Sequence, residues 1–102
     1  MNRWNIPAWL EAEVLARDLQ CVYCGVEFAF GGSSRRHRAS WEHIINDAMI
    51  VTRENIARCC MACNSSKGVK DLSVWLEFKY CKEREITAWS VAPIVRAALA
   101  TI

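Results

Sequence analysis

Two Cys-x-x-Cys pairs, Cys21 with Cys24 and Cys60 with Cys63, constrain the fold of this chain more than any other feature of its sequence. A tetrahedral thiolate site needs two short-spaced pairs that meet in space, because each pair supplies one edge of the tetrahedron. Soft thiolates in a closed four-coordinate geometry select zinc among the common metals. Small domains bury a modest fraction of their surface and often depend on a bound metal ion for stability. The pattern therefore predicts a structural zinc site.

The cysteine pairs have two other interpretations, a redox dithiol and two unrelated pairs of buried cysteines. A redox pair is expected beside the strand and helix of a βαβ unit, and the sequence around Cys21 and Cys24 does not predict that context. The zinc interpretation is therefore favoured. The two remaining cysteines, Cys59 and Cys81, are predicted to pack in the core, where a free cysteine behaves as a small hydrophobe.

The composition favours one small domain in a reducing compartment. The chain, residues 1–102, has the size of a single domain, and hydrophobic residues make up 53% of it, which is enough for a core. No apolar run approaches the roughly 20 residues that span a bilayer, and the N-terminus lacks the pattern of a secretory signal. We therefore expect a cytoplasmic protein without a membrane partner, in which thiols stay reduced.

Two segments around a glycine-rich turn predict a β-hairpin. Residues 26–30 alternate enough for a short strand, and a second strand is expected over residues 39–45. The turn between them, 31–34 (Gly-Gly-Ser-Ser), is flexible enough to let them pair. Further along, Thr52 has the side chain of an N-cap, so a helix is predicted from residue 53 or 54 to residue 64.

Three further helices are expected to flank this central part of an α+β fold, over residues 7–18, 72–85 and 88–100. Proline is well tolerated in a first helical turn, which suits Pro7, whereas Pro93 must lie near the first turn of the last helix or kink it. In the first helix, four apolar residues fall at helical spacing and are predicted to face the core: Trp9, Leu10, Val14 and Leu15.

Three short segments form one pattern: residues 42–44 (Glu-His-Ile), 55–56 (Asn-Ile) and 60–68 (CMACNSSKG). Together they resemble the His-Asn-His (HNH) endonuclease family, and the cysteine pairs match its zinc-containing members. The resemblance covers about residues 21–68, nearly half of the chain. It implies a ββα-metal (His-Me finger) core, in which a hairpin and a helix hold one divalent ion, together with a structural zinc and flanking helices. It also implies a nuclease that acts on DNA.

The resemblance implies a role for each polar residue of these segments. His43 would be the general base, and Glu42 and Asn64 would be ligands of a catalytic Mg²⁺ or Mn²⁺. Asn55 would be a structural residue that fixes the loop carrying His43. Two positions depart from the commonest pattern. Glu42 replaces the more frequent aspartate, which alters metal preference, and Asn64 stands where other members carry histidine, which favours Mg²⁺-type ions.

The same residues suit phosphodiester hydrolysis on chemical grounds. The reaction needs an activated water, a cation at the scissile phosphate and stabilisation of the departing oxygen. Histidine has an unperturbed pKa near neutrality, so His43 can take the proton of the water. Adjacent residues of a regular strand point to opposite faces. Glu42 and His43 can therefore share one centre only at a strand end or bend, unless they contact different sides of the phosphate. A structural histidine at His43 and a helix-ending role for Asn64 are the alternatives.

A short basic run precedes the Glu-His pair. The net charge of +2 is too small to indicate a nucleic-acid partner by itself, but the arginines are concentrated around His37. Beside a metal-site motif such a run favours contact with DNA phosphates, and the alternative is a solvated loop. His37 itself is expected to be a surface residue. The predicted DNA contacts are Arg35, Arg36, Arg38 and Lys67.

The sequence supports a metal-dependent DNA endonuclease first and a non-catalytic zinc module that binds DNA or protein second. The adjacent Glu42 and His43 with Asn64, which a zinc-binding module does not need, favour the endonuclease. About half of the chain lies outside the resembling segment, which leaves room only for helices that pack around it. Target selection is therefore expected to be weak or to come from a homodimer or a targeting partner subunit.

Overall fold

The computed structural model describes residues 4–29 and 34–102. Within them the chain forms a small α+β fold with one two-stranded antiparallel sheet. The elements in chain order are α1 (Ala8–Arg17), β1 (Ala39–His43), β2 (Ile56–Cys60), α2 (Met61–Lys67), α3 (Leu72–Trp75), α4 (Lys79–Glu83) and α5 (Pro93–Leu99).

The hairpin forms between different segments from those expected. Strand β1 pairs with β2, in a register that runs from Ala39 opposite Cys60 to His43 opposite Ile56. Segment 26–30 forms no strand over its described residues; it contributes a bridge between Glu27 and Gln20 and one bond from Ala29 N to His37 O at 3.0 Å. Phe30 and most of the predicted turn, 31–33, lie outside the described residues.

The helix predicted from residue 53 or 54 to residue 64 is wrong as far as residue 60. Residues Ile56–Cys60 are strand β2 instead, and four of its five residues are buried. A short apolar run buried on both faces has no period that separates a strand from a helix. Thr52 does not cap a helix; its carbonyl accepts bonds from Asn55 N and Ile56 N in a turn.

Helix α2 begins where strand β2 ends, with no connecting loop. Cys60 is the last residue of β2 and the N-cap of α2, and its Sγ accepts a bond from Cys63 N at 3.5 Å. The backbone N–H groups of Met61 and Ala62 donate to the carbonyls of Arg38 and Arg36, both at 2.9 Å. These bonds satisfy donors that a helix start otherwise leaves open. They also hold the arginine-rich segment against α2.

The flanking helices are shorter than predicted. Residues 72–85 form two short helices, α3 and α4, separated by a break at residues 76–78. The last helix begins at Pro93 rather than at residue 88, because residues 87–90 form a turn in which Ser90 Oγ accepts a bond from Thr87 N. Proline opens α5 because its missing N–H is not needed there.

Helix α1 packs through two of its four predicted core residues. Leu10 and Val14 are fully buried against Ile6 and Ile56, on one face of the sheet. Trp9 and Leu15 are exposed, contrary to the expectation. The larger core lies around the cysteines and includes Tyr23, Ile44, Leu72, Trp75 and Ile86. No helix in residues 4–29 or 34–102 is long and apolar enough to cross a membrane.

Candidate functional site

The four paired cysteines converge on one point. The Sγ atoms of Cys21, Cys24, Cys60 and Cys63 all lie within 4.8 Å of one another, and those of Cys24 and Cys60 are 3.8 Å apart. A zinc–sulfur bond of about 2.3 Å in a regular tetrahedron gives a sulfur–sulfur edge of about 3.8 Å. The donor set and its spacing therefore fit a structural zinc ion, as the sequence predicted.

The backbone supports this cluster with hydrogen bonds to sulfur. Cys24 N donates to Cys21 Sγ and Cys63 N donates to Cys60 Sγ, both at 3.5 Å. Gly25, with φ +79°, adopts the left-handed conformation that closes the first turn. Hydrogen bonding to the neighbouring thiols, that of Cys24 foremost, lowers the pKa of Cys21. Hydrogen bonding with Cys21 in turn raises the pKa values of Cys60 and Cys63. It is therefore the backbone N–H groups that favour the thiolate form, which is the form that binds metal.

Glu42 projects from β1 toward α2 and is buried, with 8% of its surface exposed. One carboxylate oxygen, Oε2, lies 3.1 Å from the ammonium of Lys67 and accepts a 2.5 Å bond from the hydroxyl of Tyr23. Burial raises the pKa of Glu42, and Lys67 and Tyr23 oppose that shift. The carboxylate is thus held on one side by two donors.

His43 is the last residue of β1, at the strand end. The Trp4 ring contacts its imidazole edge-on, with ring centroids 5.3 Å apart. Burial, followed by the charge of Lys67, lowers the pKa of His43 below its usual value. Its Nε2 is buried and has no hydrogen-bond partner among the described residues. A neutral imidazole with a free nitrogen is the form that can accept a proton.

Asn64 lies in α2, one turn beyond the N-cap. Its Nδ2 donates to Ser40 Oγ and to the carbonyl of Trp41, the latter at 3.4 Å. A main-chain carbonyl can only accept, so these bonds identify the amide nitrogen. Within the described part of the chain, Oδ1 of Asn64 accepts no hydrogen bond. A hard oxygen donor is therefore left for another ligand.

One cavity of about 460 Å³ brings Glu42, His43 and Asn64 together. The strand end supplies the first two residues and α2 supplies the third. Two oxygen donors and an imidazole thus surround one space that is separate from the cysteine cluster. The residues that line this cavity are Trp4, Ser40, Trp41, Glu42, His43, Asn46, Ala48, Met61, Asn64, Gly68 and Val69.

Asn55 lies outside that cavity and holds the loop that follows His43. Its Oδ1 accepts a 2.6 Å bond from Ile45 N, and its Nδ2 donates to the carbonyls of Ile45 and Ile50 at 3.2 and 3.1 Å. The side chain is buried, so these three bonds are shielded from water. Asn55 therefore fixes both ends of the loop between β1 and β2.

The four predicted DNA contacts do not share one surface. Arg35, Arg36 and Arg38 are exposed and line a cavity of about 620 Å³ beside the start of α2. Lys67 is 1% exposed, and its ammonium lies against Glu42 and 3.4 Å from the carbonyl of His43. In this position the ammonium of Lys67 pairs with the buried carboxylate and does not reach the surface where DNA would bind.

Sequence reasoning did not identify Tyr23 as part of the site. In the sequence it is only a residue of the first cysteine turn, and its partner, Glu42, is distant. Neither spacing nor periodicity signals such a contact. The contact of Trp4 with His43, and its place in the cavity lining, likewise have no signal in the sequence.

Comparison with known proteins gives one informative similarity. No protein-family model matches the chain. No solved structure matches it either. The chain is 33% identical over 70 residues to a CRISPR-associated endonuclease Cas9 of Corynebacterium diphtheriae. That similarity covers 66% of this chain and only 6% of the much longer relative.

Proposed function

We propose that this chain is a zinc-stabilised, metal-dependent DNA endonuclease of the HNH class. In this proposal β1, β2 and α2 form a ββα-metal core, and the cysteine cluster joins that core to the first cysteine turn. The observation that carries the proposal is the cavity shared by Glu42, His43 and Asn64. The name of the C. diphtheriae relative, an endonuclease, supports the same class of reaction.

His43 would act as the general base. Its buried Nε2 is unpaired among the described residues, and its pKa is lowered by burial, so the neutral form is present at physiological pH. Nε2 would take a proton from the attacking water as the water adds to the phosphorus. The edge-on ring of Trp4 limits rotation of the imidazole, and both residues line the cavity.

Glu42 and Asn64 would hold the catalytic cation. Each offers a hard oxygen, which suits Mg²⁺ or Mn²⁺ better than the thiolate-bound zinc. A bound ion of this kind supplies positive charge to the scissile phosphate and to the departing oxygen. Asn55 would not touch substrate; it would hold the loop after His43 through its three hydrogen bonds.

The exposed arginines would contact the phosphate backbone. The cavity lined by Arg35, Arg36 and Arg38 adjoins the candidate catalytic cavity, because Met61 lines both. A strand of DNA that crosses α2 could therefore contact both at once. Such contacts give affinity without sequence preference. Target choice would then need a homodimer or a targeting partner subunit, and the reduced thiols would suit the cytoplasm.

One observation favours a second function, a non-catalytic zinc module that binds DNA or protein. Lys67 already forms an ion pair with Glu42. An ammonium 3.1 Å from the carboxylate weakens its attraction for a second cation. In this alternative the arginine surface would bind nucleic acid, and the cavity at His43 would have no reaction to perform.

Plasmid cleavage separates the two functions. Zinc-loaded protein would be incubated with supercoiled DNA in Mg²⁺, in Mn²⁺ and in EDTA, alongside the His43→Ala variant. The matched control is His37→Ala, the other histidine of the chain, which is exposed. We expect nicked or linear DNA with the unmodified protein and His37→Ala when metal is added. His43→Ala should lose at least about 100-fold in rate, the typical contribution of a general base.

Two results would count against the endonuclease. Intact DNA with every metal, from protein that retains zinc and binds DNA, would favour the binding module. Equal cleavage by the His43→Ala variant and the unmodified protein would point to another base or to a contaminating nuclease.

A further inference from the structure

Tyr23 connects the cysteine cluster to the candidate catalytic cavity. It lies between Cys21 and Cys24 in the turn that supplies half of the cysteine cluster. Its hydroxyl donates a 2.5 Å hydrogen bond to Oε2 of Glu42, which lines the separate cavity with His43. One short turn therefore carries two ligands for zinc and one donor for the candidate catalytic carboxylate.

The Tyr23 ring is held in place by packing. The residue is 1% exposed, and Trp75 contacts its ring edge-on with centroids 4.9 Å apart. Trp75 is fully buried and is itself oriented by a 2.9 Å bond from its indole nitrogen to Ser66 Oγ. A side chain that is fixed at the cysteine turn and at its ring cannot move its hydroxyl far. The position of that hydroxyl is therefore set before any substrate arrives.

The hydroxyl of Tyr23 selects which oxygen of Glu42 remains available. Tyr23 and Lys67 both occupy Oε2, so Oε1 is the oxygen left for another ligand. Glutamate has one more rotatable bond than aspartate and loses more rotamer freedom when it is fixed. Two donors on one oxygen remove that freedom in advance, which is how partners of a ligand raise metal affinity.

We propose that Tyr23 is a positioning residue for the catalytic divalent cation, and that it orients Glu42 from the cysteine turn so that Oε1 can bind the ion. This inference rests on the function proposed above, since it assumes that Glu42 is a ligand. The two donors on Oε2 are not equivalent. The phenol is neutral, so it orients the carboxylate without repelling a cation. The ammonium of Lys67 orients the carboxylate too, but its positive charge repels a second cation.

The test is the affinity of the zinc-loaded protein for Mn²⁺, measured from the electron paramagnetic resonance signal of free Mn²⁺. Tyr23→Phe removes one hydroxyl and keeps the ring that packs on Trp75. We expect zinc content to stay unchanged and Mn²⁺ affinity to fall roughly 10-fold, the low end for loss of a partner of a metal ligand. Cleavage at subsaturating Mn²⁺ should fall with it and recover at high Mn²⁺.

The matched control is Tyr80→Phe, because the chain has two tyrosines and each hydroxyl donates to a candidate metal ligand. The Tyr80 hydroxyl donates to Cys63 Sγ at 3.3 Å and belongs to the cysteine cluster alone. Tyr80→Phe should leave Mn²⁺ affinity unchanged. A double variant, Tyr23→Phe with Glu42→Gln, should bind Mn²⁺ no more weakly than Glu42→Gln alone, because Tyr23 acts only through Glu42.

The possible failures are distinguishable. Unmodified zinc-loaded protein that binds no Mn²⁺ would overturn the proposed function itself. Mn²⁺ binding that is equal in the unmodified protein and Tyr23→Phe would overturn only the positioning role. A Tyr23→Phe variant that loses zinc or fails to fold would show that the residue is structural, and an additive double variant would show that it acts on something other than Glu42.

Discussion

Two ion pairs of this molecule join the same kinds of charge in opposite surroundings. Arg53 and Glu13 meet at 2.7 Å with 56% and 41% of their side chains exposed. Lys67 and Glu42 meet at 3.1 Å with 1% and 9% exposed. Each pair joins segments that are far apart in sequence. The exposed pair has the shorter contact and a second hydrogen bond at 3.1 Å, so by geometry alone it is the better one.

The comparison shows that burial, and not contact geometry, decides what each pair does. Water and salt screen the exposed charges, so such pairs contribute little to stability. The buried charges are not solvated by water, so each one is stabilised mainly by the other. The directions of the two carboxyl pKa values follow. The hydrogen bond from Arg53 lowers the pKa of Glu13, whereas burial raises the pKa of Glu42 despite the nearby ammonium.

The largest expected effect comes from removing the cation of the buried pair. Lys67→Met should lower the free energy of unfolding of the zinc-loaded protein by about 3–5 kcal/mol, because the charge of Glu42 is left buried without a partner. Arg53→Met, the matched change in the exposed pair, should cause little measurable change. Urea denaturation of both variants, with zinc present, measures the difference.

A double substitution checks the cause of that loss. Combining Glu42→Gln with Lys67→Met removes both charges and should recover at least about 1 kcal/mol relative to Lys67→Met alone. No recovery would mean that Lys67 stabilises the fold by packing, not by charge. Similar losses for Lys67→Met and Arg53→Met would remove the contrast altogether.

An intermediate effect is expected from salt. Raising the ionic strength from 0.1 M to 1 M shortens the screening length from about 10 Å to about 3 Å. The coupling between Arg53 and Glu13 in a double-mutant cycle should then vanish, whereas most of the coupling between Lys67 and Glu42 should persist. Denaturation at the two ionic strengths measures both couplings. Equal sensitivity to salt would indicate that water reaches the buried pair.

The smallest effect is in the titration of the two carboxyl groups, followed by carbon NMR in zinc-loaded protein without added divalent ions. The pKa of Glu13 should lie below 4.5 and return toward 4.5 in Arg53→Met. The pKa of Glu42 should lie above 4.5.

The two pKa shifts also have opposite effects on how stability depends on pH. A lowered pKa gives Glu13 a contribution that is present above pH 4.5 and lost as the pH falls through its folded value. A raised pKa gives Glu42 the opposite trend, a contribution that is present below pH 4.5 and lost as the pH rises through its folded value.

Local spacing was enough to predict the cysteine cluster. The local geometry of each Cys-x-x-Cys turn places its two sulfurs close together. Only the approach of the two turns to each other depends on the tertiary structure. The same holds for Glu42, His43 and Asn64, whose shared cavity follows from a strand end placed beside the helix after Cys60. Zinc binding itself remains a prediction that the sulfur geometry fits.

The sequence predictions that were wrong concern features that depend on which segments of the chain pack together. Ile56–Cys60 is buried on both faces because Ile56 packs against α1, whereas Ala57 and Cys59 pack in the core around the cysteines. The sequence shows only a short, mainly apolar run there. Lys67 of α2 is buried because its ammonium forms an ion pair with Glu42 of β1. No motif around Lys67 in the sequence predicts that contact. Trp9 lies outside the apolar cluster that Leu10 and Val14 form, and it is exposed, with the guanidinium of Arg53 5.6 Å from its ring centroid.

The junction at Cys60 has a consequence for how this chain can vary in length. One residue ends β2, caps α2 and supplies a cluster sulfur, so nothing separates the sheet from the helix. One residue inserted after Cys60 would turn the rest of α2 by about 100° about its axis. Asn64 would leave the cavity and Cys63 would leave the cluster together. Insertions and deletions are therefore confined to the loops, and this joint keeps a fixed length.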